Sequence, residues 1–146
     1  MSAADIVAAV PTELLINGTW RPATGGRTLA VENPATREVL ANIADGTPED
    51  GMAALDAAVA AQASWARTAP RDRGEILRRA FELLVARTDE FAALMTLEMG
   101  KPLAEARAEV AYGAEFFRWF AEEAVRITGR YSPAPNGATR LLTMRQ

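Results

Sequence analysis

Residues 103–124, LAEARAEVAYGAEFFRWFAEEA, decide how this chain is read. Ala106, Val110, Gly113, Phe117, Phe120 and Ala124 recur at steps of three and four, an apolar stripe of about five helical turns. Glu122 and Arg126 sit four residues apart near its end, as an ion pair along a helix would, and Gly129 stops it. Immediately upstream, Gly100 closes one helix and Pro102 opens the next, since glycine suits the left-handed position after a helix and proline its first turn. The helix closed by Gly100 carries Phe91, Leu94 and Met95. It is expected to start from Thr88 as cap, with Asp89 and Glu90 at the positive end of its dipole.

Further upstream, a helix is predicted from about Arg71 to Arg87, with Ile76, Leu77, Ala80, Phe81 and Leu84 on one face. Before it, Thr47-Pro48-Glu49-Asp50 is a helix start. Thr47 caps the free amides, Pro48 suits the first helical position, and the acids meet the dipole. Met52, Leu55, Val59, Gln62 and Ala66 follow at helical spacing, with Trp65 near the end and Pro70 beyond. The first third reads differently. Leu14-Leu15-Ile16, then Asn17-Gly18, then Thr19-Trp20-Arg21 is a hairpin with a tight turn. Gly25-Gly26 turns again, Thr28 to Val31 reads as a strand, and Asn33-Pro34 breaks it. Glu38 to Ala44 is a further strand closed by Asp45-Gly46. Residues 1–12 read as a short arm ending at Pro11. Arg140 to Gln146 alternates as a terminal strand with no partner after it, preceded by a loop from Ser132 to Gly137. The expected fold is therefore α+β: a small antiparallel sheet, four helices and a terminal strand.

The 146 residues are 49% hydrophobic and 24% charged with a net charge of −3, the composition of a packed globular chain. No apolar run reaches the roughly 18 residues that cross a bilayer. The N-terminus lacks a basic start and Asp5 interrupts its apolar stretch, so no signal peptide is expected and the location is expected to be cytoplasmic. Fifteen arginines are scattered among nineteen acids, with Lys101 the single lysine, which argues against nucleic acid as a partner. There is no cysteine and no histidine, so the chain holds no thiolate nucleophile, imidazole base, or nitrogen or sulfur metal ligand.

Few residues here suggest chemistry. Gly18, Gly25-Gly26 and Gly46 form no phosphate-binding fingerprint between a strand and a helix, and they read as turn glycines. Glu105 and Glu109 lie one turn apart, placed either to hold a cation or share a proton, or simply to face solvent. Phe117 and Phe120 fit the apolar stripe as core residues. Tyr112 and Phe116, four apart on a neighbouring face, would stack along a second surface that lines an interface or a pocket in a larger protein.

Other residues carry a resemblance. Leu15-Ile16-Asn17-Gly18-x-Trp20 and Asn33-Pro34-Ala35-Thr36-x-Glu38-Val39 resemble the opening of the aldehyde dehydrogenase superfamily. The likeness continues through Trp65-Ala66, Pro70-x-x-Arg73 and Ile76-Leu77-Arg78-Arg79. It is densest in Leu97-Glu98-Met99-Gly100-Lys101-Pro102, Glu105-Ala106, Glu109-Val110-x-Tyr112 and Phe117-x-Trp119-Phe120-Ala121-Glu122-Glu123-Ala124-x-Arg126. The last of these looks most like the succinate-semialdehyde dehydrogenase branch.

The resemblance implies the N-terminal portion of an α/β enzyme that oxidises an aldehyde with NAD or NADP. In that family a cysteine attacks the carbonyl, hydride passes to nicotinamide, and a glutamate activates the hydrolytic water. Those residues lie beyond the matched stretch. The catalytic domain is therefore expected to be absent, and this chain alone to be inactive and to bind no cofactor. Residues 13–129 would be the N-terminal part of the cofactor-binding domain, and 130–146 the start of an oligomerisation hairpin in a homo-oligomer. By position in the family, Ala108, Tyr112 and Phe116 would face the aldehyde in the substrate tunnel. Glu98 would lie near a structural monovalent-cation site. The competing expectation is a non-catalytic interaction module that assembles with aldehyde dehydrogenase subunits.

Overall fold

A computed structural model describes residues 2–145. The chain runs α1 (Ala3–Ala8), β1 (Leu14–Ile16), β2 (Thr19–Arg21), β3 (Thr28–Glu32), β4 (Val39–Ala44), α2 (Pro48–Arg67), α3 (Pro70–Ala86), α4 (Thr88–Met99), α5 (Leu103–Glu123), a 3-10 turn (Ala124–Arg126), β5 (Arg130–Pro133) and β6 (Arg140–Thr143). The four predicted helices are α2 to α5. The antiparallel pairing is divided among three separate two-stranded hairpins, β1–β2, β3–β4 and β5–β6.

Local chemistry accounts for the hairpins. Asn17 (φ 51°) and Gly18 (φ 75°) both take the left-handed conformation. That conformation matches a two-residue turn to strand twist, so Leu15 pairs with Trp20. Between β3 and β4, the Asn33 side chain accepts the amide of Ala35 at 2.9 Å and fixes the turn that Asn33-Pro34 predicts. A register shift falls between Val31 and Glu32. A single bond from the amide of Ala44 to the Thr12 carbonyl (2.8 Å) links β4 to the segment before β1.

Three expectations at the ends and caps are corrected. Residues 1–12 contain α1, because Ser2 and Asp5 form a reciprocal capping box and Ile6 and Val7 settle half-buried as α1 packs on α4. The segment from Arg140, expected to have no partner after it, pairs with β5, which precedes it and takes in Ser132 and Pro133 of the expected loop. Arg130 lies opposite Thr143 and Pro133 opposite Arg140. The strand ends at Thr143, and Gln146 lies outside the described residues. Thr88 is not the cap of α4. Its hydroxyl donates back to the Val85 carbonyl at 2.8 Å, a local bond that competes with capping. Arg87 then joins α3 to α4 with no side-chain cap.

Helix α2 opens as its sequence predicts, and one carboxylate fastens it to the hairpins. Asp50, 3% exposed, accepts from the amide and hydroxyl of Thr47 (2.9 and 3.0 Å) and from the amide and hydroxyl of Thr24 (3.0 and 2.8 Å). Arg21 adds an ion pair at 2.8 Å. Beyond this first turn α2 packs little, and Met52, Leu55 and Val59, the periodic face, are all exposed.

The core lies where α5 meets α3 and α4. Ala92, Ala106 and Val110 are buried with Phe91 and Met95 packed on them, and Ala114 of α5 and Ala124 at the start of the 3-10 turn continue the buried line. The expected stripe is thus corrected at its aromatic members, since Phe117 is 39% and Phe120 55% exposed. The reason is the closeness of the helices. A Cβ on Gly74 of α3 would stand 2.8 Å from the carbonyl oxygen of Ala121 on α5. Such spacing leaves room for alanine and excludes rings.

Two outcomes follow from these contacts. Gly74→Ala should lower stability by about 1–3 kcal/mol, because the clash is with backbone that cannot rotate away. Gly51 lies in the exposed α2 with nothing within 4 Å of the position a Cβ would take. Gly51→Ala should therefore raise stability by roughly 0.5–1 kcal/mol. Urea denaturation of the two variants checks the opposite signs. For Asp50, the amides of Thr47 and then Thr24 hold the carboxyl far below the usual carboxylate range, against the pull of burial. The unfolded group binds its proton at about pH 4 while the folded one does not, so its stabilisation is complete above that range and is lost as pH falls further. The margin of wild type over Asp50→Asn should therefore be flat from neutrality down to about pH 5 and shrink below about pH 4. Parallel acid limbs in thermal melts of the two proteins would refute it.

Candidate functional site

With its small residues turned inward, α5 presents its rings outward. Tyr112 is 67% exposed and Trp119 64%, and with Phe116 and Phe120 they line a shallow groove of about 350 Å³. Tyr112 and Phe116 meet edge to face, ring centroids 5.0 Å apart at 88°. In this arrangement one ring's positive edge meets the other's negative face. Ala108, exposed, is one turn before Tyr112 on the same helical face. The three positions singled out for the aldehyde thus share one exposed surface. Trp119 extends that surface, seven residues on from Tyr112 and therefore two turns along the same face. The sequence carries this signal in the seven-residue spacing of 112 and 119. Glu115 is the one charged residue lining the groove.

The acidic candidates on α4 and α5 are dispersed. Glu109 forms an ion pair with Lys101, and Arg107 reaches Asp89 at 2.8 Å, so both contacts brace the α4–α5 corner. Glu105 joins neither. The Glu122–Arg126 pair is corrected: Arg126 binds Glu123 at 2.6 Å, and Glu122 faces Arg118 at 3.6 Å. Glu98 lies at the edge of a cleft of about 120 Å³ bordered mainly by apolar side chains of α1, β3, β4 and α4, among them Val7, Val31 and Leu94. Among the described residues no three His, Cys, Asp or Glu side chains gather where an ion would sit. A single carboxylate in apolar surroundings does not fit a cation site by itself. Nor do the glycines form a phosphate cradle. Gly18, Gly25 and Gly26 take positive φ in strand turns, and Gly100 closes α4 with its amide on the Thr96 carbonyl at 3.0 Å. No helix among the described residues is long and apolar enough to cross a membrane.

Comparison with known proteins gives consistent matches. The sequence model of the aldehyde dehydrogenase family matches residues 20–146. Succinate-semialdehyde dehydrogenase of Paenarthrobacter nicotinovorans is 67% identical over 104 residues, which are 71% of this chain and 23% of that protein. Succinate-semialdehyde dehydrogenase [NADP(+)] of Escherichia coli (strain K12) is 41% identical over 134 residues, 92% of this chain and 28% of that protein. Among solved structures, betaine aldehyde dehydrogenase from Staphylococcus aureus in complex with NAD+ superposes with a TM-score of 0.87 at 27% identity, covering 91% of this chain and 27% of that one. The chain spans about a quarter of the length of the curated relatives it matches, and its fold matches the N-terminal part of theirs.

The edge-to-face pair provides a direct test of the groove's geometry. A double-mutant cycle between Tyr112→Ala and Phe116→Ala should give a coupling of about 0.5–1.5 kcal/mol in denaturation. Additive losses would show that the rings do not meet in solution.

Proposed function

This chain belongs to the aldehyde dehydrogenase family, and from that premise we propose that it is the N-terminal region of an NAD- or NADP-dependent enzyme that oxidises succinate semialdehyde to its carboxylic acid. The observation that carries the substrate is the 67% identity over 104 residues to a succinate-semialdehyde dehydrogenase. In this reading Ala108, Tyr112 and Phe116 border the path of the aldehyde. The support for it is that all three are exposed on one face of a helix whose other faces are held by α3 and α4.

Residues 13–129 act as the N-terminal part of the cofactor-binding domain, with the catalytic residues supplied from outside this sequence, which contains no cysteine. The nicotinamide group, when bound, accepts the hydride removed from the substrate. The turn glycines do not fit its phosphates, so the dinucleotide is held elsewhere and the role of these residues is to place the groove. Glu98 borders a monovalent-cation site completed by other parts of the enzyme. Residues 130–146 start the hairpin through which the complete enzyme forms a homo-oligomer. In support, β5 and β6 are exposed throughout, with Tyr131 and Leu142 offered to solvent.

Two outcomes test the reading. The isolated 146-residue chain should leave NAD and NADP unreduced with any aldehyde, since no side chain in it replaces a thiolate. Formation of reduced nicotinamide by pure protein would overturn that. In the complete enzyme, Tyr112→Ala should alter the ratio of kcat/KM for short and long aldehydes by the equivalent of about 1–3 kcal/mol. An equal loss for every aldehyde together with a lower Tm would reassign Tyr112 to packing.

A further inference from the structure

The aromatic groove on α5 has one charge at its surface, and that charge has the same sign as the proposed substrate. Glu115 lines the groove with Tyr112, Phe116, Trp119 and Phe120, at the flank of the aromatic face, its side chain 58% exposed. Its cationic neighbour holds it loosely. Arg118 stands 3.5 Å from Glu115 and 3.6 Å from Glu122. One guanidinium is thus divided between two carboxylates, and neither contact is a short paired bond. Four rings supply no hydrogen-bond donor except the Tyr112 hydroxyl and the Trp119 indole N–H. An anion entering this groove would leave water, gain few donors and approach a carboxylate that is incompletely neutralised. A methylene chain would only gain.

We propose that Glu115 is a specificity-determining residue that excludes the anionic end of a carboxylate-bearing aldehyde from the aromatic groove, so that its methylene chain lies against Tyr112 and Phe116. This rests on the reading that the groove borders the aldehyde's path. Glu115 acts by repulsion at a distance and takes no part in the reaction. Its effect is to discriminate between orientations and between charged and uncharged substrates, by disfavouring the wrong one.

The experiment uses the complete enzyme and two substrates that differ only in charge, succinate semialdehyde and its uncharged carboxamide. Along the series wild type, Glu115→Gln and Glu115→Lys, the ratio of kcat/KM for the anion to that for the amide should rise at each step. The rise should be about threefold or more per unit of charge at low salt, appear in KM while kcat stays constant, and diminish as salt is added. Melting curves establish that each variant is folded, and should Glu115→Lys fail, Glu115→Gln at low and high salt provides the same comparison. A ratio that stays flat across the charge series, or an equal loss for both substrates, overturns the proposal. Wild-type enzyme that turns over neither aldehyde overturns the functional reading beneath it, and is recognisably a different failure.

Discussion

Gly74 faces the carbonyl of Ala121 so closely that even a methyl group would stand 2.8 Å from the oxygen. This approach sets the separation of α3 and the C-terminal half of α5, and α4 packs on the N-terminal half at Ala92, Ala106 and Val110; together they sort the side chains of α5. Alanines and one valine fill the inner line, at 106, 110, 114 and 124. The rings at 112, 116, 119 and 120 are left on the outer side. A tight small-residue seam and an aromatic outer groove are thus two consequences of this packing. The close seam is held by dispersion and alignment rather than by large buried side chains, and among the described residues none of the large ones is fully buried.

The second point of attachment is polar. Asp50 gathers the turn after β2 and the start of α2 through Thr24, Thr47 and Arg21, so a carboxylate that is almost wholly buried carries five charge-assisted contacts. An aspartate at this place does two things at once. It completes the capping box that starts α2, and it closes the distance between parts of the chain 26 residues apart. The remainder of α2 contributes little to the interior, so its orientation depends on its first turn.

The groove and the corner between α4 and α5 differ in how their charges are handled. At the corner, Arg107 of α5 meets Asp89 of α4, and Lys101 of the connection between them meets Glu109 of α5. In the groove, Glu115 shares one distant arginine with Glu122. Pairs at the corner serve the fold. The uneven pairing in the groove leaves a carboxylate beside an apolar wall, where its partner is shared rather than its own.

Sequence alone determined the elements whose signals are local. The Asn17-Gly18 turn, the Thr47-Pro48-Glu49-Asp50 start and the Gly100 stop depend on backbone conformations and free amides within a few residues, and each stands where its residues require. The ordered motifs from Leu15 to Arg126 also placed the chain in its family, and the spacing of Tyr112 and Phe116 put both rings on one face. Tertiary structure decided what depends on partners distant in the chain. Periodicity assigned Phe117 and Phe120 to the core, because it reports which residues share a face and is silent on how near the neighbouring helix comes. The approach at Gly74 gave that face to alanine. Likewise the local pattern of Ser132 and Pro133 reads as loop, and their strand character comes from the ladder with β6 across from them. Thr88 lost its cap because Arg87 carried α3 almost directly into α4. Glu115, an ordinary helix-surface glutamate by sequence, became the single charge among four rings only once the packing of α5 had turned those rings outward.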